Sequence, residues 1–392
     1  MVKQILAVSV MNLKTLHTRV WSSLVIMVGV AGVVGVLVSV LAMATGLVAS
    51  MEHAGRPDRV IVLRGGSDTE TSSQLTRSAI ATILDAPGIR RDSAGKAIGS
   101  AESVTVLARP MRSGGTDANV TLRGVGRQAL ALRPEIRLVE GRWFKPGLHE
   151  LVVGRAAQKQ FSGLQIGDRV SMSGQPWPVV GVFTSGGDTH ESEVLTDAET
   201  VVIALRRSLF QSVTVLLEAP GAFAGFKRAL TTNPQLSVEA RPEPEYFART
   251  SSSLTTIMHF VAYVVGSIMA VGAIFGALNT MYSAVSARSV EIATLRAIGF
   301  GGLPVVISVL VEASLLSLLG GIFGAALAWI FFDGNGVSAL GGGFTQLVFH
   351  LAVTPALMIQ GIVWAVLIGF FGGLVPALRA ARLPITDALR SI

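Results

Sequence analysis

Four stretches of the chain lack the polar interruptions that a water-facing element needs. Residues 20–51 carry no charge, and residues 254–287 have His259 as their only titratable group besides Tyr263 and Tyr282. Residues 303–332 are broken only by Glu312, and residues 354–378 carry no charge at all. Each run is long enough to cross a bilayer, which takes roughly 20 apolar residues. The pattern therefore predicts an α-helical membrane protein with four transmembrane helices. The first run exceeds the apolar core of a signal peptide, and the leader before it is long, so a retained anchor is expected although Ala42-Met43-Ala44 has the form of a cleavage site.

Residues 52–253 follow a different rule. Alternation of apolar and polar positions predicts strands over 59–63, 103–108 and 119–123, and a helix over 74–84. A strand, helix and strand follow at 211–217, 221–230 and 236–240. The intervening stretch predicts strands at 151–153, 169–172, 179–183 and 200–203, separated by Gly, Pro and Asp turns. The expected outer domain is α+β: an α/β core from 56–135 and 205–245, with a β-rich insertion at 140–204. Polar linkers at 56–58 and 241–245 are expected to join it to the spans, and 333–353 reads as a short outer loop.

Basic residues orient the spans. Lys3, Lys14 and Arg19 precede the first, Arg288 and Arg296 lie between the second and third, and Arg379, Arg382 and Arg390 follow the fourth. The 333–353 loop has neither Lys nor Arg, which puts both termini and residues 288–300 in the cytoplasm. Residues 1–19 read as a cytoplasmic amphipathic helix, with Ile5, Leu6, Met11, Leu13 and Leu16 apolar, and residues 379–392 as a cytoplasmic tail. Small residues recur four apart at Gly272 and Gly276, Gly320 and Gly324, and Gly369 and Gly373, a spacing that permits close helix approach and is also ordinary glycine use in membrane helices.

Composition adds little and excludes much. Half of the 392 residues are hydrophobic, 15 % are charged, and the net charge is +7. The basic residues are dispersed and several flank apolar runs, which suits anionic lipid and not nucleic acid. No cysteine is present, so disulfides and thiolate chemistry are ruled out. The Gly95-Lys96 pair is followed by Ala97 and has no upstream P-loop glycine, so no nucleotide site of that kind is predicted and no enzymatic activity is expected. Gly341-Gly342-Gly343 follows a span, not a strand, which argues against a phosphate cradle. Asp188, His190, Glu191 and Glu193 match no compact metal spacing and read as a solvated loop; His53 and His149 have no sequence neighbours to form a triad. Glu312 is expected to act mainly as a structural ion-pair partner of Arg296 or Arg379, with a mechanistic role or a proton relay as alternatives.

Glu291, Ile292, Leu295 and Ile298 fall on one face of a short helix flanked by Arg288 and Arg296. The run from Arg288 to Gly299, with Glu291-Ile292 and then Leu295-Arg296-Ala297-Ile298-Gly299, resembles the cytoplasmic loop of the MacB/FtsX-like ABC permeases. Glu312 with Gly320, Gly321 and Gly324 matches the glutamate and glycines of the family's next span. The end of the chain, Gly373, Pro376, Arg379, Arg382, Pro384, Asp387 and Arg390, resembles its closing motif. Val139 to Phe144, Leu164 to Asp168 and Val179 to Val182 resemble segments of its outer domain. The chain departs from the pattern at Arg19-Val20-Trp21-Ser22-Ser23 and at Gly301, Gly302, Leu303 and Pro304, where basic residues are usual.

The resemblance implies a Porter/Sabre-like outer domain and a multi-pass protein of the bacterial inner membrane. It implies that 288–300 is a coupling helix, with Arg288, Glu291, Ile292, Leu295, Arg296, Ala297 and Gly299 serving ATPase docking. Glu312, Gly320, Gly324, Pro376, Arg379 and Arg382 become structural positions of the membrane part. ATP and Mg would be bound by a separate ABC ATP-binding subunit acting as a dimer, with no cofactor in this chain. A second permease copy, identical or related, would complete the machine, and a periplasmic adaptor and outer-membrane channel are further partners of some members. The implied work is mechanotransmission: export or extraction of an amphipathic or lipidic cargo, or, as the alternative, activation of a periplasmic partner such as a cell-wall hydrolase without transport.

Overall fold

A computed structural model describes residues 4–6, 8, 11, 20–340 and 346–382. The expected amphipathic helix lies mostly outside these residues, as do Gly341-Gly342-Gly343, Pro384, Asp387 and Arg390. The described chain divides into two compact units, one of residues 46–255 with 336–350 and one of the remaining span residues.

The membrane unit is built from four long helices: α1 (Val20–Ala54), α7 (Glu243–Ala287), α9 (Gly302–Phe332) and α10 (Pro355–Arg382). Apolar runs fit for a bilayer occupy Ser23–Met51, Leu254–Ala287, Gly302–Phe332 and Pro355–Arg382 of them. The short helix α8 (Ser289–Ala297) joins α7 to α9. Lipid offers no hydrophobic drive to bring helices together, so backbones must approach closely where side chains are absent. The buried face of α9 runs through Val305, Val309, Glu312, Ala313, Leu316, Ser317, Gly320, Gly324 and Ala328, the repeat of one helical stripe. A Cβ on Gly320 would sit 2.6 Å from the Met27 carbonyl oxygen, and one on Gly324 would fall on the Ala31 carbonyl oxygen. A Cβ on Gly369 would sit 2.8 Å from the Ala313 carbonyl oxygen, and one on Gly373 would sit 2.7 Å from the Ala313 methyl. Two of the three predicted small-residue pairs are thus contact faces. The third is not, because Gly272 and Gly276 have no described neighbour within 4 Å. Pro376 is buried within α10.

The outer unit is a mixed sheet with helices. In order along the sheet, the strands are β10 (Val238–Pro242), β1 (Arg59–Arg64), β9 (Ser212–Leu216), β2 (Gly99–Pro110), β3 (Asp117–Val125), β8 (Glu193–Asp197), β5 (Leu151–Gly154), β7 (Gln175–Thr184) and β4 (Arg137–Gly141), with β6 (Arg169–Met172) beside β7. Helices α2 (Arg77–Leu84), α3 (Ala129–Leu132), α4 (Arg155–Gln160), α5 (Ala198–Ala204) and α6 (Phe223–Thr231) complete it. The long strand β2 joins two halves: residues 99–102 pair with β9, and residues 103–110 pair with β3.

Several expectations change here. Strand β3, placed by sequence in the α/β core, pairs in parallel with β8, and its Val120 and Leu122 pack with Leu151, Phe161, Trp177 and Val194 in the core of the β-rich half. Residues 200–203, read as a strand, lie inside α5. The β-branched run disguised a capping signal: the Asp197 carboxylate accepts from the Thr200 amide at 3.0 Å and starts the helix. The 241–245 segment is no polar linker. Arg241 ends in β10, Glu243 opens α7, and both are buried; Pro244 sits in the first turn, where its missing N–H costs nothing. The 333–353 loop holds a hairpin, β11 (Gly336–Leu340) with β12 (Gln346–His350), which belongs to the outer unit.

These contacts separate two kinds of glycine. Gly324→Leu should destabilise the helix bundle by at least the ~1–3 kcal/mol of an overpacked core, whereas Gly272→Leu should leave it unchanged. Thermal unfolding of both variants in neutral detergent checks this.

Candidate functional site

The turn between the second and third spans is assembled from the end of α7, helix α8 and the start of α9. Helix α8 closes in a Schellman motif: Phe300 N donates to Leu295 O at 3.1 Å, and Gly299 N donates to Arg296 O at 3.1 Å. Gly299 takes φ +102°, which a side chain would resist. Arg288, at the N-cap, turns inward and donates to Glu312 Oε1 at 2.6 Å, with both side chains almost wholly buried. The partner of Glu312 is therefore Arg288 and neither Arg296 nor Arg379. The chain reverses between α7 and α8, which points the N-cap residue back at α9, while the Arg379 guanidinium lies 5.3 Å from the Tyr282 ring centre. Arg382 is exposed at the end of α10.

The apolar seam predicted on α8 does not face one way. Ile292 and Ala293 are buried in the bundle and Leu295 is half-buried, beside a small notch lined by Met281, Val285, Val305 and Val309. Glu291, Thr294, Ala297 and Ile298 are exposed, Ile298 at 71 %. A nine-residue helix at the edge of a bundle must spend one apolar side chain on its own anchorage, so Ile292 is an anchor while Ile298 stays exposed.

The outer unit contains a second assembly, which sequence reading missed. Arg123, on β3, is held by three carboxylates: Glu193 at 2.8 and 2.9 Å, Glu70 at 2.8 and 2.9 Å, and Glu102 at 2.7 Å. Arg133 reaches Glu102 at 2.5 Å and Glu243 at 3.7 Å. Arg59, the first residue of β1, donates to Glu243 at 2.6 Å and also to Glu135. Three guanidiniums thus face five carboxylates, nearly all out of water. His190 Nδ1 lies 3.0 Å from Glu193 Oε2 and adds a fourth positive charge when protonated. The residues 188–193 are not a solvated loop: Asp188, His190 and Glu193 are buried, with Asp188 accepting from Ser185 Oγ at 2.7 Å and from His190 N at 2.9 Å. No metal-binding cluster is formed among the described residues.

The network joins places where the chain enters and leaves the outer unit. Arg59 follows α1 by a few residues, and Glu243 is the first residue of α7. Ser192, in the turn that carries His190, accepts from Val348 N on the hairpin at 2.9 Å. Tyr246, one turn into α7, accepts from the Glu70 amide at 3.3 Å.

The charges shift one another. Burial raises the Glu102 carboxyl, but the Arg133 and Arg123 guanidiniums overcome it and hold it at about 2. Burial likewise opposes ionisation of Glu193, and Arg123 and His190 hold it well below the usual range. Burial pushes the His190 imidazole down, yet the Glu193 and Asp188 carboxylates outweigh this and its pKa is raised. Asp188 is raised by its own burial.

Four helices long and apolar enough to cross a bilayer, with a short helix between the second and third and a folded outer domain, have the architecture of a membrane permease. A family model described as the MacB-like periplasmic core domain matches residues 23–233, and one described as the FtsX-like permease C-terminal matches residues 263–385. The chain belongs to the MacB/FtsX-like family of ABC permeases.

Among relatives, the macrolide export ATP-binding/permease protein MacB of Bordetella avium (strain 197N) is 26 % identical over 417 residues, covering 98 % of this chain and 59 % of that protein. MacB of Escherichia coli is 25 % identical over 299 residues, 71 % of this chain and 44 % of that protein. The chain therefore spans about half the length of these MacB relatives. The uncharacterized ABC transporter permease YknZ of Bacillus subtilis (strain 168) is 24 % identical over 404 residues, 97 % of this chain and 98 % of that one. Two solved structures also match: the extracellular domain of YknZ from Gram-positive bacteria (18 % identity, TM-score 0.36, 47 % of this chain and 99 % of that one) and the periplasmic region of MacB from Actinobacillus actinomycetemcomitans (15 %, 0.36, 48 % and 90 %).

The pKa directions fix a pH profile. Glu102 contributes stability that is complete above its ordinary 4.5 and lost as pH falls towards about 2. His190 contributes stability that is complete below its ordinary 6.5 and lost as pH rises through its raised value. Melting temperature against pH should therefore decline on both sides, and His190→Gln should flatten the alkaline limb alone. Glu102→Ala, which takes from Arg133 its nearer carboxylate and from Arg123 one of three, should cost about 3–5 kcal/mol at neutral pH.

Proposed function

We propose that this chain is the permease subunit of an ATP-driven ABC machine that works by mechanotransmission in the inner membrane. ATP and Mg bind and react on a separate ABC ATP-binding subunit, and this chain performs no catalysis. Both termini and the α8 turn are cytoplasmic, while residues 52–253 and the hairpin lie outside. The observation that carries this reading is the buried bond of Arg59 and Arg133 to Glu243, which ties the strand after α1 to the first turn of α7.

In this scheme the ATPase closes on nucleotide and takes hold of the exposed face of α8, through Glu291, Thr294 and Ile298. A short helix with an apolar tip and a charged rim suits a groove on a partner. Arg288 pairs with Glu312 in α9, so a displaced α8 drags a second span and does not simply tilt. Helix α7 is one uninterrupted element of 45 residues whose first turns lie in the outer unit, so motion of its far end is passed on without an intervening loop. The energy is a population shift: nucleotide must favour the closed arrangement over the open one.

Much of α7 is bare, with Phe260, Ile268 and Phe275 each about two-thirds exposed, which suits lipid and a second permease copy. The cargo is an amphipathic or lipidic molecule handled on the outer side, a reading supported by the predominantly apolar character of the described spans. The MacB relatives carry macrolide export in their names; that chemistry belongs to the same amphipathic class.

The scheme separates docking from folding. Glu291→Arg with Ile298→Glu should lower permease-stimulated ATP hydrolysis by the co-purified ATPase at least ~10-fold, a loss of about 1.4 kcal/mol of coupling, with the melting temperature unchanged. Ile292→Glu should instead unfold the turn. Full stimulation by the first variant contradicts the docking face.

A further inference from the structure

Outside the ion network, the outer unit contains a groove of about 370 Å³ between helix α4, the 186–191 turn and the β11–β12 hairpin. Its volume falls in the range of small-ligand sites, roughly 300–1,000 Å³. Its lining is apolar at Ala156, Val337 and Val348 and polar at Arg155, Lys159, Gln160, Asp188, Glu191 and His350.

The polar groups of this groove are unusual in being unspent. The Gln160 amide is buried at both Oε1 and Nε2 without a hydrogen-bond partner, and Arg155 Nε is buried without one. Arg155 uses a terminal nitrogen on Glu140 at 2.7 Å. Neither the exposed Lys159 ammonium nor the exposed His350 imidazole has a hydrogen bond or ion pair among the described residues. Buried polar groups in folded proteins are nearly always satisfied, so a cluster of unsatisfied donors around one cavity points to a missing partner.

The acids of the groove each hold a local bond: Asp188 accepts from Ser185 Oγ and the His190 amide, and Glu191 accepts from the Gly187 amide. Among the described residues, the groups of the groove left without a protein hydrogen bond are the Lys159 ammonium, the His350 imidazole, Arg155 Nε and the Gln160 amide.

We propose that this groove binds a small amphiphile with an anionic head, the head held by Lys159, Arg155 and His350 and the tail laid along Ala156, Val337 and Val348. Phosphate and carboxylate heads share the chemistry, and a lipid fragment or a free metabolite could present either. The site needs neither nucleotide nor an ATPase, so it stands apart from the coupling scheme.

The test is calorimetric titration of the full chain, in discs of neutral phosphatidylcholine without nucleotide, with hexyl phosphate, inorganic phosphate and hexanol. Hexyl phosphate should bind saturably at one site per chain. Inorganic phosphate should bind at least ~10-fold more weakly, the ~1.4 kcal/mol expected of even a modest apolar tail. Hexanol should not saturate. Lys159→Glu with His350→Glu, both exposed and so tolerated by the fold, should weaken hexyl phosphate at least ~10-fold while the melting temperature holds. Absence of saturable binding, or equal binding by that variant, overturns the site. Inorganic phosphate binding as tightly as hexyl phosphate overturns the amphiphile assignment.

Discussion

Arg123 cannot be buried alone. A guanidinium taken out of water needs charge and hydrogen bonds on every side, and the chain meets that need by bringing Glu70, Glu102 and Glu193 to it from three distant segments. Through Glu102 the requirement passes to Arg133, and through Glu243 to Arg59. Within the outer unit, the start of β1 is therefore tied to the first residue of α7. The hydrophobic cores of its two halves supply bulk stability.

The membrane unit solves the opposite problem. Its surfaces are apolar whether packed or not, so contact depends on shape. Gly320 and Gly324 bring α9 against the backbone of α1, and Gly369 and Gly373 bring α10 against α9. The pair Arg288–Glu312 then adds a directional bond at one end of a bundle otherwise held by van der Waals contact. A bundle closely packed through α9 and bare along α7 is suited to moving one helix against the others while the remainder holds its shape.

The spans were legible because a bilayer imposes a length and forbids charge, and both are visible in a single sequence. The strands were legible where alternation was clean, as at 119–123, or where an apolar run was short and bounded, as at 59–63. The reading slipped where one local signal masked another: Thr200 to Ile203 has strand composition, but Asp197 caps it as a helix. The hairpin was missed because the residues between the third and fourth spans lack strong periodicity. The ion network was invisible for a different reason. Arg59 and Glu243 are 184 residues apart, and Arg123 and Glu70 are 53 apart, so no spacing announces them. The apparent linker at 241–245 and the apparent solvated cluster at 188–193 looked polar because they are polar; only the fold shows that their polarity is turned inward. On α8, amphipathicity located the helix but not which apolar residue anchors it.

Arg59 and Glu243 hold the first residue of β1 to the first residue of α7 across 184 residues of sequence. A double-mutant cycle with Arg59→Met, Glu243→Gln and the pair, read from hydrogen exchange of the β1 amides in the full chain, measures that bond directly. The account predicts a coupling energy of at least ~1.5 kcal/mol, within the range found for close buried charge pairs. Additive effects of the two substitutions would contradict it.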